Sequence, residues 1–245
     1  MTVPSLVFDG LGVTFADGTE AIRDIDLSVA PGEFVAVVGP SGCGKSTLLR
    51  VASGLQPAST GSVTAPRDST GYVFQDPTLL PWRTVGANVG LFAELHGMNT
   101  GERETRVNAA LATVGLSEWS RHYPRQLSGG MRMRASLARS LVLSPSLFLF
   151  DEPFGAVDEM TRERLNDELQ ALFAEQGFAG LFVTHSVSEA VFLATRVIVM
   201  SARPGRIVAD IKVPFPHPRG HDLRWTPEFA TIAAQVSAAL RQGTP

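Results

Sequence analysis

Residues 39–47 read G-P-S-G-C-G-K-S-T and follow directly on the apolar run of residues 34–38. The spacing G-x-x-x-x-G-K-S is suited to holding phosphate. Gly39, Gly42 and Gly44 have no Cβ, so the backbone can curl and turn several N–H groups inward upon an anion. Pro40, Ser41, Cys43 and Thr47 complete the loop. Lys45 can reach the β and γ phosphates of a nucleotide as a point charge, and Ser46 can offer its hydroxyl to Mg²⁺. A helix that starts at Lys45 points its positive end at the same place. ATP or GTP with magnesium is the expected occupant. A glycine-rich turn that binds nothing would have no use for Lys45 and Ser46. Lysine occurs elsewhere in the chain only at Lys212.

Further polar residues stand at the ends of apolar runs. Asp151 and Glu152 close the run of residues 147–150, the place where an open α/β sheet carries its chemistry. Asp151 is expected to hold Mg²⁺ through its hydration shell, and Glu152 to orient or deprotonate the water that attacks the γ-phosphate. The bland alternative is a salt-bridged pair at a strand end. Gln75 follows residues 72–74 and is a candidate ligand for Mg²⁺ or for that water, against an amide capping its own loop. His185 follows residues 181–184, and a γ-phosphate contact is favoured over a purely structural histidine. Ser128, Gly129 and Gly130 open a helix and form a second anion-binding end. Phe15 either stacks on a nucleotide base or belongs to the core.

The elements that must position these residues follow from pattern. Residues 5–38 alternate apolar and polar positions around the turn signals Asp17-Gly18 and Pro31-Gly32, which predicts antiparallel strands leading into the strand before the glycine loop. Residues 54–71 are rich in Gly, Pro, Ser and Thr and read as connection. Helical periodicity covers residues 85–96 and 102–114, then 129–143, so a helical segment interrupts the α/β pattern. Helix is also predicted over 163–173, with strands over 181–184, 197–200 and 207–213. Pro214, Pro216 and Pro218 mark a stiff linker. Thr226 as N-cap and Pro227 at the first position begin a last helix with Phe229, Ile232, Ala233, Val236 and Leu240 on one stripe, expected to dock on the body. The loop with Leu79, Leu80, Pro81 and Trp82 offers large apolar groups to a crevice or a partner.

Composition bounds the function. The chain has 245 residues, is 44% hydrophobic and carries a net charge of −3, which supports a sizeable core and gives no pull toward nucleic acid. A single cysteine, Cys43, excludes an internal disulfide, and the N-terminus lacks a basic-then-apolar leader. A cytosolic location is expected. No run approaches the roughly 20 apolar residues that span a bilayer, so another polypeptide must supply any membrane crossing. Cys43 lies inside the glycine loop, so alkylation is expected to block binding, with ATP protecting.

Taken in order, the glycine loop, Gln75, L-S-G-G, Asp151-Glu152 and His185 resemble the ATPase subunit of an ATP-binding cassette transporter over nearly the whole chain. L-L-P-W-R-T-V at 79–85, L-S-G-G-M-R at 127–132, T-H-S-V-S-E-A-V at 184–191 and S-A-R-P-G-R-I at 201–207 are similar to the importer group for nitrate, sulfonate, taurine and related solutes. The resemblance implies an α/β P-loop NTPase core with an antiparallel β subdomain and an inserted helical subdomain at about 85–143. The nucleotide-binding domain would span 1–213, with the proline-rich linker and C-terminal helix at 214–245. It further implies a head-to-tail homodimer in which Ser128, Gly129 and Gly130 of one copy touch the nucleotide on the other. Asp158 would lie near the seam and Phe15 on the base. A membrane permease would receive the loop after Gln75, and a periplasmic solute-binding protein would act indirectly. Met131 and Met133 depart from the glutamines common after L-S-G-G, and Met133 is unexplained. A soluble cassette ATPase acting on nucleic acid or the ribosome is the rival. It would call for two cassettes, a coiled-coil insertion or a basic surplus.

Overall fold

Strand segments that are apolar at every position must be covered on both faces, and here they assemble one parallel sheet. The computed structural model describes residue 3 and residues 5–243. The chain runs β1 (Leu6–Thr14), β2 (Glu20–Val29), β3 (Phe34–Val38), α1 (Lys45–Ala52), β4 (Thr60–Thr64) and β5 (Thr70–Val73). A helical stretch follows with α2 (Val85–Val89), α3 (Leu91–Leu95), α4 (Thr100–Thr113) and α5 (Gly129–Leu141). The chain then returns to alternation with β6 (Leu147–Asp151), α6 (Glu159–Gln176), β7 (Ala179–Val183), α7 (Val187–Leu193) and β8 (Arg196–Met200). It closes with β9 (Ile207–Lys212) and α8 (Pro227–Gln242).

The larger sheet has the order β5-β6-β7-β3-β8-β9, parallel except for the antiparallel β8–β9 pair. The smaller is antiparallel in the order β2-β1-β4. Side-chain alternation splits the large sheet between two cores. Phe34, Ala36, Val38, Phe148, Phe150 and Phe182 pack toward α5, α6, α7 and α8. Val35, Val37, Leu149, Leu181 and Val183 pack toward α1 and the small sheet. The Phe34 ring centre lies 5.2 Å from that of Phe173 and 5.9 Å from that of Phe182. Register pairs Val37 with Val183 and Val183 with Asp151. The glycine loop, Asp151-Glu152 and Thr184-His185 therefore leave the sheet along the same edge.

Three local outcomes differ from the sequence pattern. β4 lies within residues 54–71, pairing Val7 with Thr64 and Phe8 with Val63. Its residues are exposed apart from half-buried Val63, so it has no apolar alternation to reveal it. The predicted helix over 85–96 is broken into α2 and α3, with Gly90 ending one and opening the other. α6 extends beyond 163–173 at both ends, from the Asp158 N-cap to Gly177, which ends it in the left-handed conformation.

The segment after β9 is pinned to the body rather than spanning free space. Arg219 is buried, donating to the carbonyls of Val191, Phe192 and Ala194 at 2.9, 2.7 and 3.0 Å. It thus satisfies the orphan carbonyls at the C-terminal end of α7. Thr226 caps α8 by accepting from Phe229 N at 3.3 Å, and Phe229 and Val236 bury the expected stripe. At the far end of α8, Gly243 O accepts from Ala202 N at 2.9 Å. No helix among the described residues is long and apolar enough to cross a membrane.

Candidate functional site

The loop between β3 and α1 sets out its groups as the spacing requires. Gly44 caps α1 at φ +102°, a conformation closed to L side chains, and a Cβ there would collide with Ile22 and the Ala21 carbonyl. Lys45 is buried, its Nζ donating to Gly39 O at 2.9 Å and Pro40 O at 3.0 Å. The ammonium therefore lies across the floor of the loop. Ser46, one residue on, donates to Asp151 Oδ1 at 2.8 Å. Tyr72 donates to Asp151 Oδ2 at 3.2 Å. Burial first, then the Asp151 charge, push the Tyr72 phenol well above its usual range, so it stays a donor.

Glu152 follows β6 in the left-handed region at φ +45°, uncommon for a residue with a side chain. Its N–H donates to Val183 O at 3.0 Å, which ties the turn to β7. His185 Nδ1 stands 3.1 Å from Glu152 Oε2. As the carboxylate can only accept, Nδ1 carries the proton, and Nε2 is left to face a second partner. Gln75 lies two residues beyond β5 with its amide nitrogen against Gly155.

These groups surround one cleft of about 570 Å³. Lys45, Ser46, Gln75, Glu152 and His185 line it, as do Ser41, Gly42, Gly44 and Thr47 of the loop, and half-exposed Phe15 stands at its rim. Asp151 lies behind Ser46, and Gly39, Pro40 and Cys43 form the rear of the loop. The Cys43 thiol is 1% exposed and buried in the core with Val37 and Met200, so it takes no part in the cleft surface. A thiol reagent therefore reaches Cys43 only when the loop opens, so the expected block of binding by alkylation requires that opening.

Ser128, Gly129, Gly130 and Asp158 stand apart from this cleft. Ser128 caps α5 by accepting from Met131 N at 3.3 Å, and Asp158 caps α6 by accepting from Thr161 N at 2.9 Å. That N–H and the Thr161 side chain hold the Asp158 carboxyl below its usual range. Gly130 packs so tightly on Thr161 that a Cβ would clash with it. The two helix starts thus form one surface.

Pattern reading missed several residues of the site. Arg203 lines the cleft, its Nε and Nη2 donating to Gly42 O at 3.2 and 3.1 Å. It comes from the loop after β8, and only its place in S-A-R-P-G-R-I pointed to it. Tyr72 lies in β5, and nothing in its local spacing marks its bond to Asp151. Met133 is buried core, lining an apolar void of about 30 Å³ with Val73, Phe150 and Leu165, which explains its apolar side chain.

The donor set fits nucleoside triphosphate with magnesium. The Ser46 hydroxyl and Asp151 carboxylate are hard oxygen donors in direct contact, with Gln75 on the same cleft. Among the described residues no group of three or more His, Cys, Asp or Glu side chains could hold a metal ion alone. The Ser46 hydroxyl and Asp151 carboxylate together suit Mg²⁺ that takes its other ligands from phosphates and water.

Residues 22–155 match the family described as ABC transporter. The chain is 44% identical over 236 residues to the aliphatic sulfonates import ATP-binding protein SsuB of Cupriavidus pinatubonensis, covering 94% of this chain and 75% of that one. It is 40% identical to the nitrate import ATP-binding protein NrtC of Synechococcus elongatus, covering 91% of this chain and 35% of that longer one. Among solved structures, the dimeric ATP-binding cassette MJ0796 bound to ADP and Pi superposes with a TM-score of 0.76 at 29% identity, covering 86% of this chain and all of that one. Sequence match, fold and cleft agree: the chain belongs to the ABC transporter family.

Proposed function

We propose that the chain is the ATP-hydrolysing subunit of a bacterial importer, working as a head-to-tail pair in which each nucleotide bridges two copies. The observation that supports the reading is the separation of two groups of candidate residues in one chain. The cleft holds Lys45, Ser46, Glu152 and His185, whereas the capped starts of α5 and α6 with Ser128, Gly129, Gly130 and Asp158 lie outside it. A second copy packed head to tail would bring the two groups onto one nucleotide. The relative solved as a dimeric cassette supports this assembly.

In the closed pair the loop N–H groups, Lys45, His185 and the partner copy's helix start meet the charge of the transferring phosphoryl. Glu152 accepts a proton from the attacking water as the γ-phosphate leaves ADP. The His185 bond holds Glu152 in place for that step. Ser46, Gln75 and Asp151 would hold Mg²⁺, which when bound neutralises β- and γ-phosphate oxygens. Phe15 would stack on the base.

Nucleotide-driven closure would be transmitted to a membrane permease on the cytosolic face of the inner membrane. Trp82 and Leu95, at 71% and 72% exposure on the helical side, support a docking surface there. Residues 1–213 would form the catalytic unit with 85–143 as its helical insertion, and 214–245 the appended strap and helix. Relatives named for sulfonate and nitrate import support a small anionic solute as cargo, delivered by an external binding protein.

Sizing of Glu152→Gln protein tests the reading. With saturating Mg·ATP it is expected to elute as a dimer and without nucleotide as a monomer. A monomer under both conditions removes the proposed pairing.

A further inference from the structure

His185 is held in a turn, and its own side chain is largely in solvent at 57% exposure. Its position therefore depends on the backbone on either side. Thr184 Oγ1 accepts from Ser186 N at 3.0 Å, closing the turn around His185. The same hydroxyl donates to Glu189 Oε2 in a short contact. Ser186 caps α7 by accepting from Glu189 N at 3.3 Å.

A glutamate at the third helical position ordinarily folds back onto the N–H of its own N-cap residue. Here the Ser186 N–H is already taken by Thr184, so the Glu189 carboxylate is free to reach elsewhere. It faces Arg162 of α6, whose Nε lies 3.8 Å from Glu189 Oε1. Arg162 in turn donates from Nε to Phe154 O at 3.3 Å and from Nη2 to Val157 O at 3.1 Å. Those carbonyls belong to the loop that starts with Glu152 and ends at the Asp158 cap. Glu189 is 6% exposed. Burial pushes its carboxyl up, while Thr184, Arg162, His185 and Asn166 pull it back. A buried carboxylate is costly unless it is paired, so the arrangement is not a surface accident.

We propose that Glu189 and Arg162 are positioning residues for ATP hydrolysis, fixing the His185 turn in register with the loop of residues 152–158 so that His185 and Glu152 close on the same phosphoryl group. The proposal rests on the reading of Glu152 and His185 given above. Neither positioning side chain lines the cleft. Their effect reaches the reaction through the placement of two groups that do. A displacement of about 1 Å at such groups costs on the order of a hundredfold in rate.

The test uses the purified full chain in four forms: Glu189→Gln, Thr184→Val, His185→Ala and the Glu189→Gln/His185→Ala double variant. Thr184→Val breaks the link from the other side while leaving the Glu189–Arg162 pair in place, so it stands in should Glu189→Gln fail to fold. Each single change at 189 or 184 is expected to lower kcat about tenfold or more with KM for ATP within about twofold. On the His185→Ala background, Glu189→Gln is expected to cost clearly less than it does in the wild type, because the part of its effect that passes through His185 is gone and only the part that passes through Glu152 remains. Equal losses on both backgrounds, or a KM that rises with the fall in kcat, mark Glu189 as merely structural and overturn the proposal. Full turnover in Glu189→Gln and Thr184→Val with loss in His185→Ala also overturns it, and leaves the role of His185 standing. Full turnover in His185→Ala overturns that role, and this proposal with it.

Discussion

Ser46 Oγ donates to Asp151 Oδ1 at 2.8 Å, joining the first turn of α1 to the end of β6 across 105 positions of chain. Tyr72 takes the other carboxylate oxygen, so Asp151 is oriented from both sides. Asp151→Asn removes the charge of this pair and leaves its shape. The magnesium concentration for half-maximal turnover is expected to rise about tenfold or more. A magnesium titration at fixed ATP checks this, and an unchanged midpoint would take Asp151 out of the metal site.

Arg203 touches the glycine loop from outside, with two guanidinium nitrogens on Gly42 O. Its positive charge on the cleft surface would meet phosphate or ribose oxygens of a bound nucleotide. Arg203→Gln is expected to raise KM for ATP about fivefold, the worth of one exposed charge-assisted hydrogen bond, with kcat within about twofold. Steady-state kinetics separates the two constants. A fall in kcat at constant KM would move Arg203 from binding to catalysis.

Cys43 reports on the loop from behind. Its thiol is 1% exposed, and burial pushes it above its ordinary range, so the reactive thiolate is scarce. Maleimide labelling of the folded chain is expected to run on the order of a hundredfold slower than in denaturant. Mass spectrometry of timed samples reads both rates. Rapid labelling in buffer would mean that the loop opens readily.

His217 sets a pH dependence on the strap. Burial, and then the Arg219 charge, push its imidazole down to about 4 from 6.5. Between those values the unfolded chain binds a proton that the folded one does not. Stability is therefore full above about pH 6.5 and falls as pH drops toward 4. The half-buried ring limits the effect to the order of 1 kcal/mol. His217→Gln keeps a donor for Leu193 O, which His217 Nε2 meets at 3.1 Å, and is expected to flatten that part of the melting-temperature profile. Parallel profiles for the two proteins would remove His217 as the cause.

What could be read from the chain was whatever is written in consecutive residues. The glycine loop needs nine neighbours in sequence, and Asp151-Glu152 follows a run of four apolar residues, so both were legible before folding. β4 was not, because an edge strand of Thr, Gly and Ser has no buried face to impose alternation. Arg203, Tyr72 and Glu189 act through contacts to distant segments, and no local spacing encodes those. Arg219 was hidden for another reason: an arginine in a proline-rich stretch looks solvated until the carbonyls at the end of α7 are seen to surround it. That the Cys43 thiol points into the core was not legible either, since position in a turn does not give side-chain direction.

The last turn of α8 grips the loop that carries Arg203, through Gly243 O and Ala202 N. An affinity tag fused C-terminal to α8 therefore follows an anchor point that lies next in sequence to a residue of the cleft rim, Ala202 before Arg203. Constants measured on such a fusion would describe the handle together with the enzyme, and removing the tag before kinetics separates the two.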